Sequence, residues 1–219
     1  MQSILPNSNI VHQDDFYLAD KDIPLSDKGI ADWDCPEAFD LELMRKTLHE
    51  LKETGQYPKE FKSYEDNSST GPANVTAEQI RKATEDLMQL KLPERTVIVE
   101  GIMLYHQDSP VISELDHKLF LRAPYEDLKY RRENRAGYIT IEGYWQDPPG
   151  YFDDIVWPGY ERSHRYLFEN QDINGHLSDF ALQKIGLQSP SDINIPMSTV
   201  VEWAVQSIKD HFTKIEFSA

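Results

Sequence analysis

The sequence predicts an α/β fold in which short parallel strands alternate with amphipathic helices. Three observations carry this. Thr96-Val97-Ile98-Val99 is a short β-branched run of the kind that fills a buried parallel strand. Leu41, Met44, Leu48 and Leu51 recur at the 3-4-3 spacing of a helix face. Strand and helix signals then alternate along the chain, which favours helices layered on a mostly parallel sheet.

Taken in order, Ser8 to Val11 is a strand end that breaks abruptly at Gln13-Asp14-Asp15-Phe16-Tyr17. Residues 18–35 read as an Asp-rich loop. Pro36 is expected to open the first helix, because its missing N–H costs nothing there, and Gly55 suits the residue just past its end. Residues 56–75 are polar and turn-rich, a composition break unsuited to regular packing. Thr76 and Gln79 form a capping-box pattern ahead of Ile80, Ala83, Leu87 and Leu90. The β-branched strand ends on Glu100-Gly101. A further strand is expected at 118–122, and a basic helix from Pro124 to Arg135. Residues 136–151 are glycine- and aromatic-rich and read as a flap. Residues 152–168 read as helical around an interruption at Pro158, and a last helix is expected to be capped by Thr199 and Glu202. No repeat is visible, and 219 residues suit one domain, 1–219.

Composition removes several function classes. With 22 Lys+Arg against 38 Asp+Glu the formal charge is −16, so the chain repels nucleic acid and anionic membranes. Its basic residues cluster once, at Lys129, Arg131, Arg132 and Arg135, a patch sized for one phosphate-bearing small molecule. The single cysteine excludes an internal disulfide framework and fits a reducing compartment, the cytoplasm or also the nucleus. No run approaches the roughly 18 apolar residues of a membrane span, and the N-terminus does not resemble a signal peptide.

Several residues could carry chemistry. Asp14 and Asp15 follow a strand, where an open α/β sheet binds its ligands, so a carboxylate there could take a hydroxyl proton or hold a metal. A solvated pair starting a loop is the plainer alternative. Glu100 would share that sheet edge, as half of a Mg²⁺ and general-base arrangement or as a simple strand cap. Arg131 and Arg135 are i, i+4 neighbours suited to phosphate, unless they merely pair with the chain's many acids; the flap that follows favours a lid. Trp33 with Phe16 and Tyr17 could stack on a planar ring while Asp34 accepts sugar hydroxyls; ordinary core packing would use the same aromatics. His12 lacks triad partners and reads as structural, and no His/Cys cluster has zinc spacing.

Together these residues resemble the nicotinamide riboside kinase family. The resemblance rests on Gln13-Asp14-Asp15-Phe16-Tyr17, Trp33-Asp34, Val99-Glu100-Gly101, the stretch from Tyr130 to Arg135, and Asp147-Pro148-Pro149-Gly150-Tyr151-Phe152-Asp153 followed by Val156-Trp157-Pro158. Asp-Asp-Phe is shared with uridine kinases and other P-loop nucleoside kinases; the last two stretches are more specific. The polar 56–75 segment and the long lid resemble the fungal branch.

The resemblance implies a P-loop NTPase-like three-layer fold that moves the ATP γ-phosphate, with Mg²⁺, to the 5′-hydroxyl of nicotinamide riboside in NAD⁺ synthesis, with nicotinic acid riboside as second substrate. It implies that Asp14 is the base, Tyr17 and Trp33 are walls around the nicotinamide ring, and Asp34 is a ribose acceptor. It further implies Asp147 near the substrate, Glu100 as the Mg²⁺-linked carboxylate, and Arg131 and Arg135 against ATP. One departure accompanies the match. No Gly-Lys-Ser or Gly-Lys-Thr occurs in the chain and no glycine precedes Gly29. Met1 to Pro6 matches the end of the family's first helix, so the expectation is a fold lacking its first strand, P-loop and helix, about 25 residues. Three readings follow: a nicotinamide riboside kinase read from too late a start, a kinase of the same fold for another nucleoside such as uridine, or a shortened product without catalysis.

Overall fold

The structure, a computed structural model, describes residues 1–5, 7–63, 74–90, 92–93, 95–135, 137–139 and 143–216. Parts of the polar 56–75 segment (64–73) and of the flap (136, 140–142) lie outside the described residues.

The architecture is mixed α/β with small parallel sheets. Strand β1 (Ser8–His12) pairs in parallel with β2 (Thr96–Glu100), residue for residue from Ser8↔Thr96 to His12↔Glu100. Strand β3 (Lys118–Leu119) pairs in parallel with β6 (Leu187–Gln188). Strands β4 (Tyr138–Ile139) and β5 (Tyr144–Trp145) make a short antiparallel pair inside the expected flap.

Helices cover both faces of β1–β2. Along β2, Val97 and Val99 pack against the cluster containing Met44, Leu48 and Leu51 of helix α1 (Leu41–Thr54). Ile98 turns to the opposite cluster, built from α2 (Ala77–Met88) and α5 (Met197–Glu216) through Ala83, Leu87, Val205 and Ile208. This alternation is the period-two pattern of a strand with a core on each side. The sequence reading expects these β2 side chains to be buried, yet they are only half-buried. Among the described residues, their other backbone edge meets a cavity rather than a strand.

Local chemistry accounts for most boundaries. The α2 capping box forms as read, with Thr76 and Gln79 bonding reciprocally. Gly55 closes α1 at φ +74°, a left-handed turn that glycine adopts without steric cost. Helix α1 starts at Leu41 rather than Pro36. Pro36–Ala38 forms only a 3₁₀ turn, and the Asp40 carboxylate caps the helix by accepting from Leu43 N. Helix α5 begins at Met197, ahead of the Thr199 expected as its cap. Pro158 does not interrupt a helix. It sits in the first turn of α4 (Trp157–His164), directly after a π-type turn at Phe152–Val156. The 118–122 strand is paired over two residues only. Among the described residues, no helix is long and apolar enough to cross a membrane.

Candidate active site

The site begins where β1 and β2 end together. Because the strands are parallel, the carboxyl ends of both deliver their following residues to one edge. Gln13 fastens that edge. It is wholly buried, and its Oε1 accepts from Met103 N at 2.7 Å, tying the turn after β1 to the loop after β2. Gly101 makes the approach possible, since a Cβ there would lie 2.4 Å from the Gln13 Cβ. Asp14 is exposed on the 3₁₀ turn Gln13–Phe16, and Asp15 accepts from Ser63 Oγ at 3.0 Å. Glu100, more than half exposed, takes a 2.7 Å contact from His12 Nδ1. The structure therefore gives His12 a partner that the sequence reading did not identify.

A second group of charges lies nearby. Helix α3 (Tyr125–Glu133) carries Arg131 and Arg132, and Arg135 follows just past its end. Arg132 is the organising residue. Its Nη1 and Nη2 donate to the two oxygens of Asp34 at 3.1 and 2.9 Å, and its Nε and Nη2 donate to Asp147 at 2.5 and 3.3 Å. Trp145 Nε1 adds a 2.9 Å bond to Asp147. The side chains of Asp34 and Asp147 are only 6% and 18% exposed, so one guanidinium holds together two largely buried carboxylates. Burial pushes the Asp34 carboxyl above the usual carboxylate range, and the Arg132 guanidinium pulls against it.

Aromatic rings adjoin this array. Tyr17 meets Trp33 edge-on at 5.4 Å and stacks on Phe39 at 4.1 Å; Trp33 also packs at 5.8 Å against Trp145, which reaches Tyr151. Tyr151 ties the cluster to the 31–34 loop, donating to Ala31 O and accepting from Trp33 N, both at 3.0 Å. Burial drives its hydroxyl pKa far up, so it stays neutral.

Asp34, Glu100, Arg131, Arg132 and Arg135 line one cavity of about 1060 Å³. Arg132, Arg135 and Asp147 line an adjoining one of about 320 Å³. Asp14, Tyr17 and Trp33 line neither of these two. Of the basic cluster, Lys129 is bound to Asp153 at 2.6 Å. Sequence spacing singles out Arg131 and Arg135 rather than Arg132, and it assigns no role to Trp145 or to Gln13. The only sequence signal for Trp145 is its position two residues before Asp147.

As a donor set, Glu100 offers a metal one carboxylate. Among the described residues no group of three His, Cys, Asp or Glu could hold an ion. A single carboxylate can serve Mg²⁺, which is commonly held by one or two carboxylates with phosphates and water completing its shell.

Comparison with known proteins gives consistent relatives. The chain is 37% identical over 214 residues to a nicotinamide riboside kinase of Schizosaccharomyces pombe, covering 95% of this chain and 87% of that protein. It is 33% identical over 213 residues to the nicotinamide riboside kinase of Saccharomyces cerevisiae, covering 94% and 86%. A nicotinamide riboside kinase 2 of Mus musculus is 29% identical over 163 residues, covering 74% and 69%. No protein-family model matches the chain.

Proposed function

The chain belongs to the nicotinamide riboside kinase family, and from that membership we propose that its site serves phosphorylation of nicotinamide riboside, and of nicotinic acid riboside, to the mononucleotide in NAD⁺ salvage. ATP is the proposed donor, within a P-loop NTPase-like fold.

The observation that carries the reading is the Asp34–Arg132–Asp147 array beside the aromatic cluster. Carboxylates held rigidly by a guanidinium are acceptors for vicinal hydroxyls, and the guanidinium supplies donors to the same diol. This matches a ribose. Tyr17, Trp33 and Trp145 would flank a flat ring carrying a fixed positive charge, which aromatic faces attract by about 0.5–2 kcal/mol. Asp14, exposed at the strand end, is the proposed base that takes the proton from the 5′-hydroxyl. Glu100 would hold Mg²⁺, which when bound neutralises charge developing on the phosphates. Arg131 and Arg135 are proposed to lie against the ATP phosphates, since both line the larger cavity with Glu100.

These 219 residues contain no Gly-Lys-Ser or Gly-Lys-Thr. The backbone cradle and lysine that hold β- and γ-phosphates in P-loop enzymes are therefore not among them. Our reading is that this chain supplies the acceptor half of the site and turns over only with a phosphate-binding loop. The same observation favours the second reading, a non-catalytic nucleoside binder. Isothermal titration of the chain with nicotinamide riboside and with uridine tests the acceptor half directly. Tighter binding of nicotinamide riboside, weakened by Asp34→Asn, supports it. Equal or tighter binding of uridine overturns it.

A further inference from the structure

We propose that Asp153 is a positioning residue for the nucleoside site: it ties helix α3 to the Phe152–Val156 turn and thereby sets where Arg132 meets Asp34 and Asp147. Its consequence for nicotinamide riboside rests on the phosphorylation reading, whereas the anchoring of α3 does not.

Helix α3 docks largely through polar groups. None of its nine residues, Tyr125–Glu133, is buried, whereas a surface helix ordinarily fastens itself by an apolar stripe. In α3 the stripe at i, i+4 and i+7 is Tyr125, Lys129 and Arg132, and each of the three reaches a carboxylate. The Tyr125 hydroxyl donates to Asp153 Oδ1, and Lys129 Nζ donates to Asp153 Oδ2 at 2.6 Å. Arg132, further along the same face, donates to Asp34 and Asp147. The two oxygens of Asp153 therefore hold the start and the middle of the helix, and Arg132 holds its end.

The strip that carries Asp153 is itself fixed. Tyr151, Phe152 and Ile155 are all buried, so the core holds this backbone in place. The Tyr125 ring meets Phe152 edge-on at 5.4 Å and Trp157 at 4.9 Å, and the Arg132 guanidinium lies 5.7 Å from the centre of the Tyr151 ring. Tyr151, Phe152 and Asp153 thus take the whole polar stripe of α3. Within it the Asp153 contacts use no group assigned to the nucleoside. Arg132 is different. When a ribose diol enters, its guanidinium must share donors among Asp34, Asp147 and the diol. A tether that does not touch the substrate keeps α3 in register while that exchange takes place.

The expected effect is local. Lys129 and Asp153 keep 27% and 43% of their side-chain surface, and an ion pair so exposed adds little to global stability. Without it, however, the Arg132 guanidinium must both hold the end of α3 and bind the substrate.

The test is ¹H–¹⁵N NMR on the ligand-free 219-residue chain, following the Arg132 Nε–H and the Trp145 indole N–H, both of which donate to Asp147. Asp153→Ala should shift both signals. It should also speed solvent exchange of the Arg132 Nε–H and of the 125–133 amides by about tenfold, as loss of one ion pair and one hydrogen bond implies, with the amides of α1 unchanged. Asp153→Glu should recover most of this. The double variant Tyr125→Phe, Lys129→Met should reproduce it, and Asp153→Ala added to that pair should change nothing further. Nicotinamide riboside titrated into the same samples should bind Asp153→Ala about three- to tenfold more weakly than wild type. Unmoved Arg132 and Trp145 signals would overturn the proposal, leaving Asp153 an ordinary surface charge. Acceleration spread equally over α1 would overturn it too, making Asp153 a general stabiliser, as would undiminished affinity in Asp153→Ala. Failure of the wild-type chain to bind nicotinamide riboside would instead contradict the phosphorylation reading, and the ligand-free signals would still decide the role of Asp153.

Discussion

Replacing Arg132 by Met should destabilise the protein severely, because it removes the shared partner of two buried carboxylates. Asp34 and Asp147 keep 6% and 18% of their side-chain surface, so water can replace the guanidinium only in part. Removing one member of a buried ion pair costs about 3–5 kcal/mol, against a typical total stability of roughly 5–15 kcal/mol. Here one cation serves two acids, and among the described residues only Asp147 retains another side-chain donor, Trp145. The deficit should depend on pH. Burial already raises the folded-state pKa of Asp34 above its unfolded value. The folded state then binds the proton more tightly, and this group's contribution to stability falls as pH rises through the interval from about 3.9 upward. Without Arg132 the opposing pull is gone and the interval widens. Urea denaturation of wild type and Arg132→Met across the acid range should show a deficit of about 3–5 kcal/mol near neutrality that shrinks as the pH approaches about 4. Adding Asp34→Asn should recover part of it. A deficit below about 1 kcal/mol, or one independent of pH, would mean the array is solvated and the argument from burial wrong.

Other substitutions probe separate parts of the account. With a phosphate-binding loop supplied upstream, Asp14→Ala should lower kcat by about 10²–10⁴-fold with little change in KM; near-normal kcat would move the base to Asp15 or Glu100. Trp33→Ala should cost about 3–5 kcal/mol in denaturation, since the indole is buried, and should narrow the nicotinamide riboside to uridine ratio of kcat/KM in the loop-supplied enzyme; an unchanged ratio would remove Trp33 from the ring site. Gly101→Ala forces its new Cβ onto Gln13 and should cost about 1–3 kcal/mol, so an unchanged melting temperature would show that the two strand ends are not held as described. Burial holds His164 down at about 4, below its unfolded value near 6.5. Its share of stability is full above about 6.5 and is lost as pH falls toward about 4, up to about 3 kcal/mol. His164→Gln should flatten that acid limb, and an unaltered limb would assign it to other groups.

Signals read within one turn or one strand translated well into structure. The Thr76–Gln79 box, the left-handed Gly55 and the β-branched β2 each depend on a few consecutive residues and formed where read. Competition between local signals produced the misses. Pro36 can start a helix, but the Asp40 carboxylate caps Leu41–Thr54 with an actual hydrogen bond, so the helix begins there. Strand β6 is two residues long, too short to give any periodicity. In the site, the sheet-end location of Asp14 and Glu100 followed from strand order. The role of Arg132 did not. Helical spacing selected Arg131 and Arg135 as i, i+4 partners, yet α3 ends at Glu133. The residue that gathers Asp34 and Asp147 is the neighbouring arginine, whose partners lie 98 and 15 residues away. Long-range pairing of that kind leaves no local pattern.

The most direct test is to incubate ATP and Mg²⁺ with nicotinamide riboside or uridine and measure the 5′-phosphorylated product by mass spectrometry. The comparison is between the 219-residue chain alone and the chain fused behind a strand, a Gly-x-x-x-x-Gly-Lys-Ser loop and a helix. We expect nicotinamide mononucleotide from the fused protein only, with nicotinamide riboside preferred over uridine by about 2- to 30-fold in kcat/KM. Turnover by the chain alone at the roughly 1–100 s⁻¹ usual for kinases, or a preference for uridine by the fused protein, would contradict the account.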